Sequence, residues 1–176
     1  RAAFASVRLR TRVLALAEGL GADVPMCLHS RPAWIAGAGE QVTPVSNCAD
    51  LDLLLVNPRV PLSTAQVFGA YAPADPVVDS DLASADVATP ASVLAFLGRQ
   101  SNDLTGPAQG LCPVISDVLE TLAHARGCQL ARMSGSGPTC FAIFDNEEAC
   151  KAAARDIGAR HPDWWMRSTR TGHSTR

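Results

Sequence analysis

Met133-Ser134-Gly135-Ser136-Gly137-Pro138-Thr139-Cys140-Phe141-Ala142-Ile143-Phe144 sets a glycine and serine turn between two apolar segments. Residues 129–133 and 139–144 each have the length and apolar content of a buried strand. Working outward, residues 114–125 form an amphipathic helix, apolar at Val114, Ile115, Val118, Leu119 and Leu122 and stopped by Gly127. On the other side, residues 146–157 are Ala-rich and follow Asp145 and Asn146, either of which can cap a helix. Residues 51–56 are apolar except for Asp52 and end before Pro58, which reads as a further buried strand. Residues 163–168, with Trp164 and Trp165, read as a last strand anchored in the core, and residues 169–176 as a polar, frayed end. From Leu51 onward the order is strand, helices, strand, strand, helix, strand. That order predicts an α+β layer with helices packed on one face of a mostly antiparallel sheet.

The segments before residue 50 read differently. Residues 7–17 suit a helix ended by Gly19 and Gly21, and Pro25 suits a helix start. Residues 33–35 and 41–45 suit two strands around Gly37-Ala38-Gly39, with Glu40 solvated. In the second part, Ser63 is placed as N-cap of a helix with Gln66 in the capping-box position, and Thr89 as cap of a helix at residues 91–97. Residues 73–90 are rich in Ala, Asp, Ser and Pro and read as a surface loop; Asn102-Asp103 opens a short element.

The 176 residues are 47% hydrophobic and 18% charged, with a formal net charge of -2, which fits a globular chain with its own core. The charge balance and a 5% aromatic content disfavour nucleic acid or an anionic membrane as partner. No apolar run approaches the roughly 20 residues that cross a bilayer. Residues 1–17 make a poor signal peptide, since Glu18 follows the short apolar stretch at once, so a cytoplasmic location is expected. Cys27, Cys48, Cys112, Cys128, Cys140 and Cys150 include no Cys-x-x-Cys pair, which removes the zinc spacing. Several lie in apolar runs and are expected as buried thiols without disulfides. The four histidines form no metal spacing with one another or with acids.

Three groups of residues can carry chemistry. Asp23, in Gly21-Ala22-Asp23-Val24-Pro25, places a carboxylate at the mouth of a helix. Such a group can orient a hydroxyl and take its proton, and it can equally serve as a helix cap. Gly135, Ser136 and Gly137 can form a nest of backbone N–H groups for an anion, or simply a tight hairpin turn. The loop is no dinucleotide fingerprint, because the third glycine position is Cys140 and a strand follows; nor is it a Walker loop, because no Gly-Lys-Ser/Thr follows. Thr64 and Phe68 stand four residues apart on one helix face, which can hold a nucleobase or sugar, although a core phenylalanine beside a capping threonine is the commoner arrangement.

The order and content of these segments resemble the GHMP kinase superfamily. The resemblance rests on Leu20-Gly21-Ala22-Asp23-Val24-Pro25, Gly37-Ala38-Gly39-Glu40, Leu55-Val56-Asn57-Pro58, Ser63-Thr64 with Phe68, Asn102-Asp103-Leu104 and Met133-Ser134-Gly135-Ser136-Gly137. Within the superfamily it is similar to the branch that phosphorylates a hydroxyl of a cytidylylated methylerythritol in non-mevalonate isoprenoid synthesis. The resemblance implies ATP and Mg2+ as cofactors and a small-molecule cytidylyl substrate. Asp23 would be the catalytic residue, and Thr64 and Phe68 would line the substrate pocket in the same cleft. Gly135, Ser136 and Gly137 would lie on the cofactor side. It implies a monomer or weak homodimer. It also implies a GHMP kinase-like α+β fold, with residues 1–49 as the remnant of an N-terminal domain and residues 50–176 as a C-terminal antiparallel-sheet domain.

The chain departs from the pattern in one large respect. The superfamily begins with a lysine-bearing segment and a Pro-x-Gly-x-Gly-x-x-Ser-Ser loop, and neither occurs here. Lys151, the only lysine, lies in the Ala-rich helix. A C-terminal fragment, impaired as a kinase, is therefore expected. Two alternatives stay open: another GHMP kinase, acting on homoserine, mevalonate or a sugar, and a non-catalytic α+β binding module.

Overall fold

A computed structural model describes residues 13, 16–17, 19–21, 24–29, 31–37, 39, 41–72 and 85–172. The chain divides into two compact units: among the described residues, the first takes those up to Cys48 with Ala85 and Gly172, and the second those at 49–72 and 86–171. In the first, α1 (Val24–His29) precedes an antiparallel hairpin of β1 (Ala33–Ala36) and β2 (Gln41–Pro44), with Ala33 opposite Pro44 and Ala36 opposite Gln41. Gly37, at φ 69, takes the left-handed turn that the hairpin requires. Gly19 and Leu20 are helical, so the expected stop at Gly19 falls later, at Gly21. Of the helix expected at residues 7–17, residues 13, 16 and 17 are described and are helical; its other residues, Glu40, and all but the end of the expected surface loop lie outside the described residues.

The second unit runs β3 (Asp52–Asn57), α2 (Thr64–Ala70), α3 (Pro90–Arg99), α4 (Thr105–Leu111), α5 (Val114–Ala123), β4 (Cys128–Met133), β5 (Cys140–Phe144), α6 (Glu147–Arg160) and β6 (Trp165–Arg170). The strands form one sheet in the order β4-β5-β3-β6, antiparallel at every pair rather than at most of them. Register sets the core. Leu54 faces Ala142 and Val56 faces Cys140, and strand alternation puts these four on one face. All four are fully buried together with Ile115, Val118 and Leu122 of α5 and with Cys150, Ala153 and Ile157 of α6. Both helices supply their core residues at the same i, i+3, i+7 spacing, the stripe that a helix lays on a sheet. Each of the larger side chains contributes about 1.5–3 kcal/mol on leaving water. On the opposite face Ile143 is buried, while Leu53, Leu55 and Phe141 are half-buried.

Capping follows the sequence closely. The Ser63 hydroxyl accepts from the Gln66 amide, and Thr89 and Ser92 form a reciprocal capping box at the start of α3. Asn146, rather than Asp145, caps α6 by accepting from Ala149.

Three expectations at the ends of elements need correction. The α5 helix stops at Ala123, two residues early, because the chain must turn at Gly127 to enter β4; at φ 82, a Cβ there would lie 2.9 Å from that of Ala149. The β6 strand runs on to Arg170 instead of fraying after Ser168. Backbone ladder bonds do not depend on side-chain polarity, and Thr171 extends them by pairing with Leu51 (2.9 Å from its N–H, 2.7 Å to its hydroxyl). Trp165 does not anchor β6 in the core: it is 41% exposed, because alternation turns it to the far face. Trp164 does pack against the core and stacks on His161 with centroids 3.8 Å apart.

Candidate functional site

The turn between β4 and β5 closes on itself by two backbone bonds. The Ser134 N–H donates to Thr139 O at 2.9 Å, and the Gly137 N–H donates to Ser134 O at 3.0 Å. Gly135 and Gly137 sit at φ 55 and 80, the left-handed region that other residues adopt at a cost. Gly137 is also confined by space, since a Cβ there would lie 2.8 Å from Met133 Sδ and 3.4 Å from Ile115 Cδ1. The sequence therefore needs glycine at Gly137 for two reasons and at Gly135 for one. The N–H groups of Gly135 and Ser136 meet no acceptor among the described residues. Two consecutive uncommitted amides in a glycine turn can form an anion-binding concavity.

Side chains from three other places hold this loop. Asn102, between α3 and α4, donates through Nδ2 to Met133 O at 3.0 Å and to Gly135 O at 2.8 Å. Asn57, at the end of β3, donates to the Thr139 hydroxyl at 2.8 Å and accepts from the Arg59 N–H at 2.7 Å. Thr64, the first residue of α2, shares a 2.9 Å hydrogen bond between its hydroxyl and that of Ser136. One turn further along α2, Phe68 is 57% exposed. The core position for Phe68 is thereby overturned: Val67 alone is buried in this seven-residue helix, and the next position turns outward.

Of the residues singled out in the sequence, the structure brings together Thr64, Ser136, Gly135 and Gly137, with Phe68 one helical turn from the contact. Asp23 lies outside the described residues. Asn57 and Asn102 were legible only as parts of motif segments; their shared partner is a loop 31 or more residues away.

The cysteine behind the loop is chemically silent. Burial pushes the Cys140 thiol up to about 12, and Cys112 beside it is raised for the same reason. Neither is a thiolate nucleophile at neutral pH. A hollow of about 630 Å3, lined by His124, Asp145, Asp156 and Arg160 among others, lies at the Cys128 and Phe144 ends of β4 and β5. The loop is at the other ends of the same strands, so this hollow is a separate feature. Among the described residues no three His, Cys, Asp or Glu side chains are grouped to hold a metal ion, and no helix is long and apolar enough to cross a membrane.

Comparison with known proteins adds a family. Residues 85–163 match the model of the C-terminal domain of GHMP kinases. The chain is 44% identical over 155 residues to the 4-diphosphocytidyl-2-C-methyl-D-erythritol kinase of Roseobacter denitrificans, covering 87% of this chain and 51% of the relative. It is 45% identical to the enzyme of that name from Methylorubrum extorquens, covering 90% and 55%. The chain thus spans about half the length of the curated relatives it matches. A crystal structure of 4-(cytidine 5'-diphospho)-2C-methyl-D-erythritol kinase superposes with a TM-score of 0.73 at 28% identity, over 92% of this chain and 57% of that one. A homoserine kinase from Cytophaga hutchinsonii, at 20% identity and TM-score 0.53 over 75% of this chain and 44% of that one, shares the fold.

Proposed function

We propose that the chain, whose residues 85–163 match the model of the GHMP kinase C-terminal domain, is part of an ATP-dependent kinase for a hydroxyl of 4-diphosphocytidyl-2-C-methyl-D-erythritol. In this reading residues 1–49 are the end of an N-terminal kinase domain and residues 50–176 the C-terminal domain. The observation that carries it is the 2.9 Å contact between the Thr64 and Ser136 hydroxyls. It joins the start of a helix bearing an exposed aromatic ring to a loop with two uncommitted amides. A ring for a base beside amides for an anion is the pairing that a cytidine diphosphate group needs.

The roles divide accordingly. Phe68 offers its face to the cytosine ring. Thr64 adds a hydroxyl without charge. Gly135 and Ser136 supply backbone N–H groups on the phosphate side, which fits ATP as far as these amides reach, while the Gly137 N–H closes the turn on Ser134 O. ATP supplies the phosphoryl group when bound. Asp23 takes the proton of the acceptor hydroxyl, a role supported by its place in Gly21-Ala22-Asp23-Val24-Pro25 alone. Mg2+ belongs to the reading by family, and no described residue is assigned to it. A cytoplasmic monomer or weak homodimer completes the proposal.

The test is calorimetric titration of the 176-residue chain with cytidine 5'-diphosphate. Phe68→Ala should weaken binding by about 1–3 kcal/mol, the worth of a base on an aromatic ring, with the melting temperature held, since the ring is exposed. A wild-type chain that prefers homoserine or mevalonate to the cytidine nucleotide would move the reading to another GHMP kinase. Equal affinity of wild type and Phe68→Ala would remove the ring from the pocket.

A further inference from the structure

Asn102 has every hydrogen-bonding group of its carboxamide in use. Nδ2 donates to Met133 O and Gly135 O, and Oδ1 accepts from the Leu104 N–H at 3.1 Å. The bond to Gly135 O has a consequence for the next residue. The peptide joining Gly135 to Ser136 is planar and trans, so its C=O and N–H point in opposite directions. Drawing Gly135 O toward Asn102 aims the Ser136 N–H away from Asn102. The preceding peptide is fixed in the same manner, because Ser134 O accepts from the Gly137 N–H at 3.0 Å and thereby orients the Gly135 N–H.

We propose that Asn102 is a positioning residue: by holding Gly135 O it aims the Ser136 amide at a phosphate-class anion. The proposal rests on the reading of this loop as a phosphate site. The competing role is purely local, a side chain that closes the turn at Leu104. The two roles use different atoms, so they separate experimentally. Asn102→Ser retains a short acceptor for the Leu104 N–H, as serine does in such turns, adds no charge, and is too short to reach the loop carbonyls. If the local role is the whole role, serine preserves behaviour. If Asn102 positions the loop, serine fails.

The probe is inorganic pyrophosphate, titrated into the 15N-labelled 176-residue chain. In the wild type the Gly135 and Ser136 amide signals should shift together and saturate. In Asn102→Ser the dissociation constant should rise at least tenfold and the Ser136 response should be lost, while the dispersed spectrum of the rest of the sheet is kept. A variant that binds pyrophosphate within twofold of wild type, with Ser136 still responding, overturns the proposal and leaves the phosphate reading standing. A wild type in which neither amide responds overturns the phosphate reading and this proposal with it. Should Asn102→Ser fail to fold, hydrogen exchange of the Asn102 side-chain amide in the wild type decides. Both protons are expected to be protected, and exchange at the rate of an exposed asparagine overturns the assignment.

Discussion

Gly135 and Gly137 look interchangeable as letters, two residues apart in one turn, and differ in what surrounds them. A side chain at Gly135 meets open space and bears only the backbone cost of φ 55. One at Gly137 bears the cost of φ 80 and presses on Met133 Sδ and Ile115. Gly135→Ala should therefore cost about 1 kcal/mol and Gly137→Ala about 2 kcal/mol or more, taking 1–2 kcal/mol for the left-handed backbone and adding the close contact. Urea unfolding of the two variants checks the order, and equal losses would refute the packing argument. At this scale the sequence was legible wherever a role depends on neighbours along the chain. The i, i+4 spacing put Thr64 and Phe68 on one helix, and two glycines marked the loop. It was silent on Asn102, because what that side chain does depends on carbonyls 31 and 33 residues away. Phe68 stayed ambiguous for a related reason. A phenylalanine beside Val67 reads as core until the helix is seen to be short and to bury one residue.

At the scale of elements, periodicity carried most of the information. The α5 stripe of Ile115, Val118 and Leu122 and the apolar run of β3 are strong one-dimensional signals, and both elements form as expected but for one or two residues at their ends. Caps were equally legible, since Ser63, Thr89 and Asn146 act on amides three residues ahead. The errors cluster where an element's end is set by a partner. The polar segment at Thr169 and Arg170 reads as a tail, yet it pairs with Leu53 and Asp52 as part of the outer strand of the sheet. Arg170 then reaches Asp50 and the half-buried Asp52 at 3.7 and 3.6 Å; its own guanidinium is largely exposed, so solvent screens both pairs. Trp165 shows the same limit. Its strand was expected correctly, and its face depends on register against Asn57, which sequence does not encode locally.

For the whole molecule, the sheet, its helices and the glycine loop form a platform, and transfer of a phosphoryl group asks for more. Such catalysis consists chiefly of positioning the donor and neutralising its charge. Within these 176 residues the only lysine is Lys151, paired with Glu147 on the exposed side of α6 and beside the pocket formed with Ser168 and Arg170, away from the loop. The chain on its own should accordingly show negligible ATP-dependent phosphorylation of the cytidylyl substrate in a coupled ADP-release assay. Turnover above about 1 per second, within the ordinary enzyme range, would mean that charge neutralisation comes from a source other than lysine.

The buried thiols turn the sheet into its own clock. Cys140 and Cys150, held up to about 12 and about 11 chiefly by burial, stay neutral in the folded chain at pH values where an unfolded thiol ionises. Neutrality in the fold contributes stability that is complete below about pH 8.5, the ordinary thiol value. That contribution is lost progressively as pH rises toward 11 and 12, because the unfolded chain then binds fewer protons than the folded one. At pH 8 a thiol reagent reaches these sulfurs only when the sheet parts from α5 and α6, so their labelling rate counts openings of the core. Exposed Cys27 should react at once, and Cys140 and Cys150 together, at one slow rate that a denaturant accelerates; separate rates would mean that the two ends of the sheet open independently.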